Sequence, residues 1–196
     1  MIINKHNLLK KINKDIGWKF TSRGENEYLN SQYQNVARHD SIVLNKLLSG
    51  NPGNKPIFTY AHFFKPHPPY THDSSGRKKT FTFTYDLENE KQLYIDQIKY
   101  VNNLIKRITL SIFTKSKRPY IIIFQGDHGF RYRGDPSHAE KVFQNLTCIY
   151  FPDKNYNMIN EEFSSVNTFR IVLNNYFNQN LKLLRHRKVF LKTRYP

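Results

Sequence analysis

An α/β layered fold, with a small and mostly parallel sheet flanked by helices, is predicted by three features of the sequence. First, Ile121-Ile122-Ile123-Phe124-Gln125 reads as a buried strand that runs directly into Gly126-Asp127-His128-Gly129. Second, a strand-forming run at 56–63 is separated from it by a long amphipathic helix over 88–114. Strand, crossover helix and strand form a right-handed βαβ unit, and its two strands are parallel. Third, another strand at 146–151 closes at Pro152, and a helix follows over 164–177.

Taken in order, Leu8, Leu9 and Ile12 fall at helical spacing and predict a short helix at 7–12. Residues 20–30 are polar and contain Gly24, which predicts a loop. Val36, Ile42, Val43, Leu44, Leu47 and Leu48 predict a helix over 31–49, ended by Ser49-Gly50-Asn51-Pro52-Gly53. Pro56-Ile57-Phe58-Thr59-Tyr60-Ala61-His62-Phe63 has strand character, and the prolines at 66–69 take the chain out of the sheet, because proline lacks a ladder donor. Residues 71–86 read as polar loop. Val101, Leu104, Ile105, Ile108 and Ile112 recur with a 3.6-residue period, which marks the long helix. A polar loop is expected at 130–141, and Ser164 or Ser165 is the expected N-cap of the last helix.

The chain has 196 residues, enough for one domain with a real core. Its hydrophobic share is 38%, and an aromatic share of 15% carries much of the available burial. Lys and Arg total 31 against 15 Asp and Glu, a net charge of +16, which points to an anionic partner or to a solvated Lys-rich surface. The cations are spread along the chain, with no zinc-finger spacing and no RNA-binding aromatic motif, so no specific nucleic-acid motif is present. The single cysteine, Cys148, excludes an intramolecular disulfide and a thiolate cluster, and its strand setting predicts a buried, inert thiol. The N-terminus lacks the apolar core of a secretory signal, and no apolar run approaches the length of a transmembrane segment, so the localisation is left open.

Two clusters could carry chemistry. Asp127 and His128 pair a carboxylate with an imidazole beyond a strand's carboxyl end, where ligand sites of open α/β sheets lie. The same residues also fit a plain turn made by Asp and Gly with an incidental His. The second cluster is Tyr60-Ala-His-Phe-Phe-Lys-Pro-His-Pro-Pro-Tyr-Thr-His72, with three histidines in and just past the 56–63 run. His67 stands between prolines that restrict its backbone, which suits a ligand or an anion contact. His62 reads either as a contact residue or as a hydrogen-bonded strand-end histidine, and His72 reads as a loop residue. If the two strands are parallel neighbours, His62, His67, Asp127 and His128 converge. Asp and neutral imidazole suit zinc or manganese, while calcium calls for more oxygens. Arg131, Arg133 and Lys141 could hold an anionic ester or form a solvated basic loop, and His138 and Glu140 read as ligands or as an exposed turn.

Four pieces together resemble the sulfatase-like branch of the alkaline phosphatase superfamily. Phe58 to Tyr70 is similar to its H-x-x-x-P-H-x-P-[YF] segment. Ile121 to Gly129 resembles its strand ending in [ST]-D-H-G, with Gln125-Gly126 in place of the usual residues before Asp127. Tyr94 to Asn102 resembles the preceding helix, and Ser165 to Arg170 with Asn174-Asn-Tyr-Phe177 resembles a C-terminal helix of membrane-anchored members. The resemblance covers residues 56–177 and implies a partial alkaline-phosphatase-like fold acting on phosphate or sulfate esters, by hydrolysis or transfer. It implies that Asp127 and His128 bind a divalent metal (zinc, manganese or calcium) and that His67 contacts the anionic ester substrate or the metal; His62 matches a recurrent position to which the resemblance assigns no role, and it is taken with His67 as a candidate substrate contact. Parents of the family are membrane-anchored, with an extracytoplasmic catalytic domain.

The family's nucleophile, a Thr, Ser or modified Cys on an upstream strand, has no counterpart here. Asp15 and Asp40 lie in helical or loop segments, and Cys148 follows the metal motif. The expectation is therefore a helical segment at 1–55, a sulfatase-like C-terminal half-domain at 56–177 and a basic segment at 178–196. That describes a fragment, truncated or split from a missing N-terminal half and inactive alone. Two other readings remain: a basic, non-enzymatic module that binds nucleic acid or an anionic membrane surface, and a small complete metallohydrolase built on Asp127, His128, His67 and His62.

Overall fold

The computed structural model describes residues 22–50, 53, 55–79, 87–130, 136–161 and 163–189. The chain divides into two compact units, Met1–Ser116 and Lys117–Pro196. The helix expected at 7–12 and the Phe-Thr alternation at 81–85 lie outside the described residues.

The first unit is built on two long helices, α1 (Ser22–Ser49) and α2 (Leu87–Lys115), which pack on each other. α2 matches the predicted helix to within one residue at each end. Its stripe buries Leu104 and Ile108, with Val101, Ile105 and Ile112 partly covered. Each fully buried Leu or Ile stabilises by about 1.5–3 kcal/mol. α1 is longer than predicted, because the segment 22–30 continues the helix instead of forming a loop. Extending an existing helix costs far less than nucleating one, so a stretch without apolar periodicity still propagates it. α1 ends as the sequence foretold: Gly50 takes φ +71° and its N–H returns to the Leu47 carbonyl. The neighbouring Leu48 carbonyl accepts from Ser111 Oγ at 3.3 Å and from Lys115 Nζ, so the last turn of α2 satisfies a carbonyl that α1 leaves free.

The expected strand at 56–63 does not form. The segment has no regular secondary structure and takes no ladder partner among the described residues, and Ile57, Phe58 and Tyr60 are exposed. β-propensity measures fit to a paired, half-buried surface, and without a partner it yields no strand. The βαβ unit therefore does not form either. Part of the expected loop at 71–86 is ordered as a small hairpin bridged between His72 and Lys78.

The second unit holds a two-stranded sheet, β1 (Ile122–Gln125) and β2 (Thr147–Tyr150), flanked by helical elements. The pairing is antiparallel, with Ile123 opposite Ile149, which corrects the expectation of a mostly parallel sheet. The reason lies in the connection. A 3-10 helix (Pro136–Phe143) brings the chain back beside the end of β1. Gly126 N–H donates to Leu146 O at 2.9 Å and Asn145 Nδ2 donates to Gly126 O at 2.6 Å, so β2 must start where β1 stops. Cys148 on β2 is exposed rather than buried.

Ile121 and Ile123 on one face of the chain, with Ile149, Ile159, Phe163 and Tyr176, surround the core residues Phe151, Ile171 and Val172. The last two belong to α3 (Thr168–Tyr176), which follows a 3-10 turn (Ser165–Asn167). Neither Ser164 nor Ser165 caps this helix through its side chain. Ser165 Oγ instead accepts from Asn145 Nδ2 at 3.1 Å, and Thr168 Oγ1 donates to Gln125 Oε1 at 2.7 Å, tying α3 to the end of β1.

Candidate functional site

In the first unit, the segment carrying His67 is held by polar groups on both helices. Lys65 Nζ lies 2.8 Å from Asp40 Oδ2 of α1, and both side chains are only 4% exposed. The other Asp40 oxygen accepts the Phe64 N–H at 3.0 Å. From α2, the fully buried Gln97 accepts the Thr71 N–H at 2.9 Å and donates to the carbonyls of Pro66 and His67 at 3.2 Å each. Every hydrogen-bonding group of that amide is therefore aimed at residues 66–71. His67 is exposed, with Nδ1 2.5 Å from the Pro68 carbonyl oxygen. His62 is also exposed, in an aromatic group with His39 and Phe64.

Asp40 and Gln97 were missed as functional residues, although the sequence carried their signal. Gln97 continues the stripe of Val101, Leu104 and Ile108 at helical spacing, and Asp40 lies on the face of Val36, Val43 and Leu47. A polar residue on a buried stripe demands a partner.

His72, expected in a loose loop, is 8% exposed and stacks on Tyr100 at 4.6 Å. Burial, with the charges of Lys65 and Lys78 behind it, pushes its imidazole down to about 4. Between about 4 and 6.5 the unfolded chain protonates this histidine and the folded chain does not, so stability falls as pH drops through that window. The neutral ring's full contribution is present above 6.5 and is gone by about 4. We expect a loss on the order of 2–3 kcal/mol. Urea denaturation at several pH values should show it, and His72→Phe should flatten that part of the profile. An equal acid slope in the variant would refute the assignment.

In the second unit, Asp127 and His128 form the turn immediately after β1. Asp127 Oδ1 accepts the His128 N–H at 3.0 Å. Its Oδ2 lies 3.7 Å from His128 Nε2, with the carboxylate 90% and the imidazole 26% exposed. His128 Nδ1 is 2.7 Å from the Gly129 carbonyl, an acceptor that calls for a proton on Nδ1 and so, in the neutral ring, leaves the lone pair on Nε2. Two donors that share an ion through bonds of roughly 2.0–2.2 Å stand about 3–4 Å apart, so this pair fits two coordination positions of a divalent metal.

Gly129 is buried, and its N–H donates to Val142 O at 2.7 Å. Its φ is not in the left-handed region. Glycine is needed because a Cβ there would stand 2.1 Å from Lys141 O and 2.5 Å from Gln144 O. Glu140 pairs with Lys188 at 3.8 Å. Arg131, Arg133 and the His138 side chain lie outside the described residues. Among the described residues no group of three or more His, Cys, Asp or Glu gathers as a metal cluster, and no helix is long and apolar enough to cross a membrane.

No curated protein and no solved structure matches this chain. The model of the Sulfatase family matches residues 12–174, a span that begins well upstream of the motifs at 56–177 and includes α1 with Asp40. With most of its length matched, from α1 through the Asp127–His128 turn to α3, the chain belongs to the Sulfatase family.

Proposed function

We propose that this chain serves metal-dependent hydrolysis or transfer of phosphate or sulfate esters, with Asp127 and His128 as ligands of a divalent metal and His67 and His62 as contacts to the anionic ester. The observation that carries the proposal is the Asp127–His128 pair: two donors 3.7 Å apart, one ring nitrogen held by a backbone carbonyl, on a turn pinned by Gly129. A bound zinc, manganese or calcium ion would supply Lewis acidity and offset ester charge. Asp127 contributes the anionic oxygen and His128 a neutral nitrogen. His67 and His62 present exposed rings able to donate to ester oxygens, and the amide of Gln97 holds the backbone on which His67 is carried.

No Ser, Thr or Cys of this sequence matches the family's nucleophile, and two protein ligands leave most of a metal's coordination to water. The purified chain is therefore expected to bind metal weakly and to turn over neither aryl phosphates nor aryl sulfates. Calorimetric titration with zinc, manganese and calcium should give an affinity that Asp127→Ala lowers by about tenfold or more. Unchanged affinity in that variant would remove Asp127 from the metal site. Robust metal-dependent turnover by the wild-type chain would show that a nucleophile is present after all.

A further inference from the structure

We propose that a groove beneath the C-terminal strap of the second unit binds a single-chain anionic amphiphile, an aliphatic phosphate or sulfate monoester. The strap is the run from 178 to 189, which has no regular secondary structure, and it is held by Asn174 of α3 and Asn167 of the preceding 3-10 turn. Asn174 donates to Leu181 O at 2.9 Å and accepts Leu181 N–H at 2.8 Å. Asn167 donates to Leu184 O and accepts Leu184 N–H, both at 2.8 Å. The spacings agree: seven helical residues rise about 10 Å, and three extended residues span about 10 Å. The strap therefore runs antiparallel to the helix in a fixed register, although its side chains are mostly exposed.

Between the strap and Met158, Asn160 and Phe163 lies a groove of about 570 Å³, within the usual range for small-molecule sites. Its lining is apolar at Met158 and Phe163, with the nearly buried Ile171 behind them, and basic at Lys182, Arg185 and His186. Among the described residues neither Lys182 nor Arg185 pairs with a carboxylate, and the strap's ion pair to Glu140 is made by Lys188. A bare anion would leave the apolar lining wet, and a neutral apolar molecule would leave the lining cations without a counter-charge. An alkyl chain against the apolar residues with an oxyanion at the cations uses both. None of these six residues belongs to the Asp127–His128 turn.

The test is calorimetric titration of the full chain at low ionic strength with EDTA present, using decyl phosphate and decyl sulfate below their micelle-forming concentrations. Inorganic phosphate, decanol and anionic phospholipid vesicles are separate arms. Saturable one-to-one binding of at least one decyl ester is expected, with inorganic phosphate and decanol each about tenfold weaker or more. The double variant Lys182→Glu/Arg185→Glu and the single variant Met158→Asp should each weaken binding by about tenfold or more. All three positions are exposed, so circular dichroism and Tm should not change. The proposal is overturned if folded variants bind as the wild type does, if inorganic phosphate alone binds as tightly, or if only vesicles bind.

Discussion

Gly129→Ala is expected to destabilise the second unit by more than about 3 kcal/mol and to abolish metal binding with it. The added Cβ would meet Lys141 O at 2.1 Å and Gln144 O at 2.5 Å. Neither oxygen is free to retreat. They belong to backbone held by the Gly129 N–H to Val142 O bond at 2.7 Å and by the Gln144 N–H to Lys141 O bond at 3.1 Å. Relief would require the Asp127–His128 turn to lift away from the 3-10 helix, which would move both proposed ligands. Gly126→Ala is the control. Its Cβ would meet nothing closer than 3.6 Å, an ordinary contact, so a change below about 1 kcal/mol is expected. Denaturant titration of the two variants gives the comparison, and equal stability would show that the turn does not pack as described.

Asp40→Ala is expected to cost the first unit about 3–5 kcal/mol. The substitution leaves the Lys65 ammonium buried without a counter-ion and the Phe64 N–H without its acceptor. Segment 64–71, which carries His67, would lose its attachment to α1. Removing both charges together with Asp40→Leu/Lys65→Met should recover most of that loss, because two apolar side chains need no partner. Hydrogen exchange should report the attachment directly: amides of 64–71 should exchange faster in the single variant than in the double. A single variant as stable as wild type, with unchanged exchange, would mean that the Asp40–Lys65 pair contributes nothing.

The two expectations draw on parts of the chain that differ in how much of them can be read from sequence. The Asp127–His128 turn was legible because its position depends only on where an apolar run ends. The need for Gly129 was not legible: the structure requires space next to two carbonyl oxygens 12 and 15 residues further along the chain. No local pattern reveals that distance.

Periodicity determined α2 almost to the residue, because one face of a helix needs only its own sequence to be apolar. Short apolar runs located β1 and β2, the Ser49-to-Gly53 run located the stop at Gly50, and four motifs in order resembled the family to which the chain belongs. The tertiary structure decided what depends on partners remote in sequence. It set the antiparallel direction of β2, because the returning connection is stapled at Gly126 and Asn145. It gave 56–63 no strand partner among the described residues, because strand propensity cannot supply a neighbour. It buried Asp40, Lys65, Gln97 and His72, whose polarity is tolerated largely through bonds and packing 24 or more residues away along the chain. A helix closes its own hydrogen bonds and can be read from its own residues, whereas a strand, a buried charge and a ligand site are completed by groups brought from elsewhere.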